Sequence, residues 1–169
     1  NETEQQRFDL SSHRVAIHAA APCPLGVKQK MLEWWGPIIY EFYGGTEGNG
    51  LTHVTPENWL AKPGTVGQAI LGELHICDEE GNELPTGETG LVYFELPEMP
   101  FRYLNDDEKT RNAQHPNHPN WSALGDVGHV DEDGFLFLTD RATFMIISGG
   151  VNIYPQEIDN VLLKHKQVA

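Results

Sequence analysis

Tyr43-Gly44-Gly45-Thr46-Glu47 sets a ring, two glycines, a hydroxyl and a carboxylate side by side. The glycines let the backbone turn sharply and approach a ligand closely. Thr46 and Glu47 offer the hard oxygen ligands that a magnesium–phosphate complex takes, and Tyr43 offers a flat stacking face. A structural turn with a surface Glu has the same local sequence. Gly125-Asp126-Val127-Gly128 frames a second carboxylate. It reads either as a tight turn with an exposed Asp or as an acceptor for the two hydroxyls of a ribose. His115 and His118 lie three apart, but no third metal ligand is near, so they read as part of a solvated loop.

These residues need elements to hold them. Arg14–His18 reads as a short buried strand running into Ala19-Ala20-Ala21-Pro22, where small side chains admit a flat group or a second backbone. Pro24 suits a helix start. Val27, Met31 and Trp34/Trp35 recur at helical spacing, with Lys28 and Lys30 expected outside. Gly36-Pro37 stops that helix. Pro37–Tyr40 is a β-branched run leading into the first glycine pair. Residues 14–47 thus predict a strand–helix–strand unit, with both strands ending in loops of small and polar residues. In open α/β sheets ligands bind at that edge.

From Gly64 the pattern becomes β. Short alternating runs separated by glycine turns predict a small barrel or curled sheet. Pro97–Asn120 reads as irregular. Asp131-Glu132-Asp133-Gly134, between apolar runs, is a hairpin turn without calcium-loop spacing. Phe144–Ile147 predicts another strand, Ser148–Asn152 a permissive loop, and Tyr154–Glu157 a helix start with Ile158, Val161, Leu162 and His165 as its apolar side.

The chain has 169 residues and a net charge of −14, from 25 acidic and 11 basic residues. No Lys/Arg cluster is present, which argues against a nucleic-acid surface or an anionic-membrane surface. A phosphate-bearing ligand must be held by local donors, helix ends or a metal. Cys23 and Cys77 lack metal spacing and read as reduced thiols of a cytoplasmic protein. No apolar run approaches membrane-span length. The polar opening, Asn1–Gln6, reads as mid-pattern, as in a fragment or an excised domain.

In order along the chain, Tyr43–Glu47, Gly125-Asp126, Asp140-Arg141, Ile146-Ile147-Ser148-Gly149-Gly150-Val151-Asn152-Ile153-Tyr154-Pro155 and Glu157-Ile158 resemble the adenylate-forming enzymes. These are the acyl-CoA synthetases, luciferases and peptide-synthetase adenylation domains. Ala20-Ala21-Pro22 fits the same pattern, and the last long motif most resembles the acyl-CoA ligase branch. The resemblance implies a two-step reaction: a carboxylate attacks the α-phosphate of ATP to give acyl-AMP and pyrophosphate, and a thiol, commonly coenzyme A, then displaces AMP. It implies ATP, Mg2+ and coenzyme A as reaction partners beside a small carboxylic acid.

The resemblance also assigns roles. Ala20, Ala21 and Pro22 lie along the adenine, Tyr43 covers its other side, and Glu41, Phe42, Gly44, Gly45 and Leu138 complete the nucleotide site. Thr46 reaches the α-phosphate and Glu47 holds magnesium, making these the catalytic pair. Asp126 accepts from the ribose, and Arg141 donates to ribose or phosphate. Asp140 is the hinge of a small C-terminal domain. Ser148, Gly149 and Gly150 border the coenzyme A tunnel. The implied fold is α/β. Residues 1–63 end an α/β subdomain, 64–139 form a small distorted β-barrel, and 140–169 start an α+β C-terminal domain.

Three departures stand out. Nothing before Arg14 matches the family's phosphate loop, and Lys164 and Lys166 lack the setting of its late catalytic Lys. Thr143 stands where the family often has Lys. The chain alone is therefore expected to be inactive. Two other expectations compete: a peptide-synthetase-type adenylation domain serving a carrier protein, and a nucleotide-binding module without chemistry. Pro100-Phe101-Arg102-Tyr103-Leu104-Asn105 resembles a ligase segment and favours the acyl-CoA ligase.

Overall fold

The computed structural model describes residues 7–148, 151–163, 165 and 167–168. Strand β1 (Ala16–His18) and strand β2 (Ile39–Tyr43) are parallel, with His18 opposite Glu41. Parallel neighbours need a crossover, and helix α1 (Leu25–Trp35) supplies it. Gly36, at φ 81°, ends the helix by donating its N–H to Leu32 O at 2.9 Å. Both strands run the same way, so their C-terminal loops leave one edge of the sheet, as predicted.

The helix does not face as its periodicity implied. Lys28 was expected outside and is 2% exposed, whereas Val27 is 52% exposed. The reason is a partner remote in sequence. Lys28 Nζ pairs with the buried Glu41 carboxylate and lies 4.7 Å from the centre of the Trp59 ring. Burying one charge alone costs several kcal/mol, and a paired charge removes most of that cost. Leu32 does face inward, onto Ile39, Val54 and Trp59.

Two elements follow that the sequence reading did not find: strand β3 (Leu51–Val54) and helix α2 (Pro56–Ala61). Thr55 caps α2, its Oγ1 accepting the Asn58 N–H at 3.2 Å, with Pro56 at the first helical position. Both are ordinary helix-start signals.

Strands β4 (Thr65–Leu71), β5 (Glu73–Cys77), β6 (Gly90–Glu95), β7 (Trp121–Val130) and β8 (Leu136–Arg141) complete one mixed sheet. Its order is β1-β2-β3-β4-β8-β7-β6-β5. The residues expected to form the distorted barrel supply β4 to β8, and β4 joins them edge to edge to β3. Ile76, Val92, Phe94 and Leu136 form their core. Asp131–Gly134 is a hairpin turn as predicted, with its two outer aspartates held by Lys62. Both cysteines are free, Cys77 buried and Cys23 half-buried. Among the described residues no helix is long and apolar enough to cross a membrane.

The stretch 97–120 is less irregular than predicted. Helix α3 (Asp107–Ala113) starts at Asp106, whose Oδ1 accepts the Lys109 N–H at 2.9 Å. His115 is not solvated: it is buried. Its Nδ1 accepts the backbone N–H groups of Asn117 and His118, and Nε2 donates to Gly81 O at 3.0 Å. Burial pushes its pKa down. Both ring nitrogens organise the turn, so the imagined metal pair with His118 is replaced by a structural histidine.

Beyond β8, a 3-10 turn (Ala142–Phe144) leads to strands β9 (Ile146–Ser148) and β10 (Val151–Ile153), which pair antiparallel. Helix α4 (Pro155–Leu162) follows, its Ile158, Val161 and Leu162 exposed. Gly149, Gly150, Lys164 and Lys166 lie outside the described residues.

Candidate functional site

Asp126 sits in the middle of β7 because that strand is irregular there. Leu91 pairs with Val127 but Tyr93 with Ala123, so β7 carries surplus residues against β6. Gly125, at φ 86°, takes the bend, a conformation that carries a penalty for residues with a side chain. A bulge re-aims the side chain next to it. Here it buries Asp126 against two donors from other strands. Tyr43, at the end of β2, donates its hydroxyl to Asp126 Oδ2 at 2.7 Å. Arg141, opposite Asp126 on β8, donates Nε to Oδ1 at 3.1 Å. Burial, and then the Asp126 charge, push the Tyr43 pKa far up, so this phenol is a fixed donor.

Beyond Tyr43 the chain bends tightly. A Cβ on Gly44 would stand 2.6 Å from Gly50 O, so only glycine fits. Glu47 then meets two hydroxyls: Tyr103 donates to Oε1 at 2.9 Å and Thr46 to Oε2 at 3.3 Å. Lys109 Nζ lies 4.0 Å from the centre of the Tyr103 ring. Tyr103 and Lys109 were not singled out from the sequence, although Tyr103 lies in the Pro100–Asn105 segment noted there. Glu47 is held below the usual carboxylate range. Its own backbone N–H lowers it most and burial opposes, while Tyr103, Thr46 and Lys109 assist. An ionised carboxylate beside a hydroxyl, with no Lys or Arg ion pair among the described residues, is a donor set that fits a hard divalent cation.

A pH test follows from this lowering. Stability from the Glu47 charge is fully present above the ordinary carboxylate pKa and is lost as pH falls through the lowered value. Tyr103→Phe removes one donor to the charged form. We expect the Glu47 carboxyl of that variant to titrate at higher pH, read by carboxyl NMR. An unmoved titration would disconnect Tyr103 from Glu47.

The model of a family described as AMP-binding enzyme matches residues 1–104. The chain belongs to the AMP-binding enzyme family. It is 34% identical over 167 residues to a long-chain-fatty-acid–CoA ligase of Bacillus subtilis (strain 168), covering 98% of this chain and 29% of that protein. Amide bond synthetase McbA from Marinactinospora thermotolerans has a similar structure, with a TM-score of 0.83 at 32% identity, over 96% of this chain and 33% of that one. So has o-succinylbenzoate coenzyme A synthetase (MenE) from Bacillus subtilis in complex with ATP and a magnesium ion. Its TM-score is 0.82 at 29% identity, over 99% of this chain and 35% of that one. The chain spans about a third of the length of these relatives.

As a member of the AMP-binding enzymes, the chain brings Tyr43, Asp126 and Arg141 into contact and sets Thr46 beside Glu47. Ala20, Ala21 and Pro22 are exposed in the loop after β1. Ala20 has φ 75°, a strained value outside glycine. Glu41 differs from its neighbours: its carboxylate is buried against Lys28, with His18 Nδ1 3.3 Å away but not in hydrogen-bond geometry. The two Glu41 side-chain oxygens lie toward His18 and Lys28. Phe42 faces His53, ring centres 4.8 Å apart, away from Tyr43 on the alternating strand. Leu138 packs beside the Phe94 core, and Ser148 is exposed at the end of β9. Asp140 is not a bare hinge. Its Oδ2 accepts the Gln156 N–H at 3.0 Å, tying the start of α4 to β8.

Proposed function

We propose that this chain supplies the nucleoside side of an ATP-dependent acyl-CoA ligase. The whole protein joins a carboxylic acid to ATP, giving acyl-AMP and pyrophosphate, and then passes the acyl group to the thiol of coenzyme A. The observation that carries this reading is the Asp126 carboxylate, buried between Tyr43 and Arg141 at the edge where β2 delivers its glycine loop. A carboxylate fixed by two donors still has lone pairs for two ribose hydroxyls. Arg141, exposed beyond its Nε contact, has further N–H groups for ribose or phosphate oxygens.

The loop residues take the next step. The Thr46 hydroxyl, which donates to Glu47 here, would turn to the α-phosphate of a bound nucleotide, and the ionised Glu47 would hold a magnesium ion, which would supply charge neutralisation at the phosphate. Tyr43 holds Asp126 in place from one side, while the small residues Ala20, Ala21 and Pro22 leave room for a flat base on the other. Asp140, through Gln156, couples the site to the segment that bears Ser148, Gly149 and Gly150, proposed to border the thiol's path. The ligase names among the relatives support this reading over a carrier-serving domain or a module without chemistry.

The test is carboxylate-dependent exchange of pyrophosphate into ATP by the whole protein, across a panel of fatty and aromatic acids. Exchange with at least one acid, followed by thioester formation when coenzyme A is added, is expected. Nucleotide binding without exchange for any acid would contradict the ligase.

A further inference from the structure

Away from the nucleotide site, the edge strand β5 carries Glu73 and His75 on one face, two residues apart. Glu95, on β6, stands opposite Glu73 in the ladder. One ligand atom from each of Glu73, His75 and Glu95 lies within 4.8 Å of the others. Like charges placed opposite each other in a ladder are destabilising. No lysine or arginine among the described residues pairs with either carboxylate.

The imidazole is oriented for a further ligand. His75 is buried and stacks on Trp121, ring centres 3.6 Å apart. Its Nδ1 lies 2.8 Å from Glu83 Oε1. In the tautomer whose proton sits on Nδ1 and is donated to Glu83, the second nitrogen, Nε2, turns its lone pair to Glu95 Oε2 at 3.2 Å. That oxygen already receives the Trp121 indole N–H at 2.7 Å, and Asn120 donates to the other at 3.2 Å. Two lone pairs thus face one another unless a proton or a cation lies between them. A histidine held by a carboxylate on one nitrogen, with an acceptor oxygen facing the other, matches the outer-shell arrangement of a metal-bound imidazole.

We propose that Glu73, His75 and Glu95 form a site for a first-row divalent cation of the zinc class, with Glu83 as the residue that positions His75. One nitrogen and two carboxylates suit zinc better than magnesium, which prefers an all-oxygen octahedron. The ion cross-links the edge strand to β6, five residues along β7 from Asp126 at Trp121, and so acts on stability. This reading is independent of the ligase chemistry.

The test is titration of the full chain with Zn2+ at neutral pH, read by calorimetry, by Trp fluorescence and by the shift in melting temperature. One equivalent is expected to bind, with Mg2+ binding far more weakly. Glu83→Gln weakens the site about ten- to a hundredfold, the usual loss for an outer-shell partner. Glu73→Gln, exposed on the edge strand, weakens it at least as much without disturbing the core, so the test stands even where His75→Gln fails to fold. Glu88→Gln, exposed elsewhere, leaves the affinity unchanged. Absence of zinc uptake, or uptake unchanged by Glu73→Gln and Glu83→Gln, overturns the site and leaves His75 as a structural residue hydrogen-bonded to carboxylates.

Discussion

Replacing Lys28 with methionine is expected to destabilise the chain by about 3–5 kcal/mol, the usual result of removing one partner of a buried ion pair. The methionine fills similar volume, so packing is not the main loss. What remains is the Glu41 carboxylate, 7% exposed, facing only the partly open His18 ring. Trp59 also loses its cation, a contact worth about 0.5–2 kcal/mol. The double variant Lys28→Met/Glu41→Leu removes both charges and should recover most of the stability, because a buried pair is about as stable as a well-packed apolar one. Urea midpoints of the two variants decide this. A loss below about 1 kcal/mol in the single variant, as for exposed pairs, would mean that the pair is solvated. In the whole protein the same double variant should leave ATP affinity unchanged, since the Glu41 side chain points into the core.

Replacing Asp126 with alanine has the largest expected effect on function. Hydrogen bonds to a charged group contribute about 1.5–3 kcal/mol. Losing the acceptor of the ribose hydroxyls therefore raises the ATP needed for pyrophosphate exchange by about ten- to a hundredfold or more. Tyr43 and Arg141 lose their shared anchor at the same time. Asp126→Asn keeps the shape but not the charge and should fall between. Tyr43→Phe leaves the carboxylate in place and should cost less than Asp126→Ala. If Tyr43→Phe costs as much, the phenol itself contacts the nucleotide.

The strand–helix–strand start was legible because each boundary is marked locally: Pro24 before α1, Gly36-Pro37 after it, and a glycine pair after β2. Helix α2 also carries a local signal, Thr55-Pro56, but it is short and lies between two glycine-rich stretches. Helix α3 has almost no apolar residues, so periodicity gave nothing, and only its cap at Asp106 marks it. The orientation of Lys28 was not legible. Its partner lies thirteen residues away, and helical spacing counts a lysine as outside unless that partner is known. Asp126 was recognised as a glycine-framed carboxylate, but its setting in a bulged strand depends on registers with β6 and β8 that no single segment contains. The Tyr103–Glu47 contact joins residues 56 apart for the same reason.

The most direct measurement compares ATP with 2′,3′-dideoxy-ATP in binding to the whole protein and to its Asp126→Ala variant. If Asp126 holds the ribose, the unsubstituted protein binds ATP at least about tenfold more tightly than the dideoxy analogue, since the analogue lacks both hydroxyls and one charged hydrogen bond alone gives about that factor. The variant then binds the two nearly equally. Undiminished discrimination in Asp126→Ala would contradict the ribose assignment, and with it the nucleoside site built around Tyr43, Asp126 and Arg141.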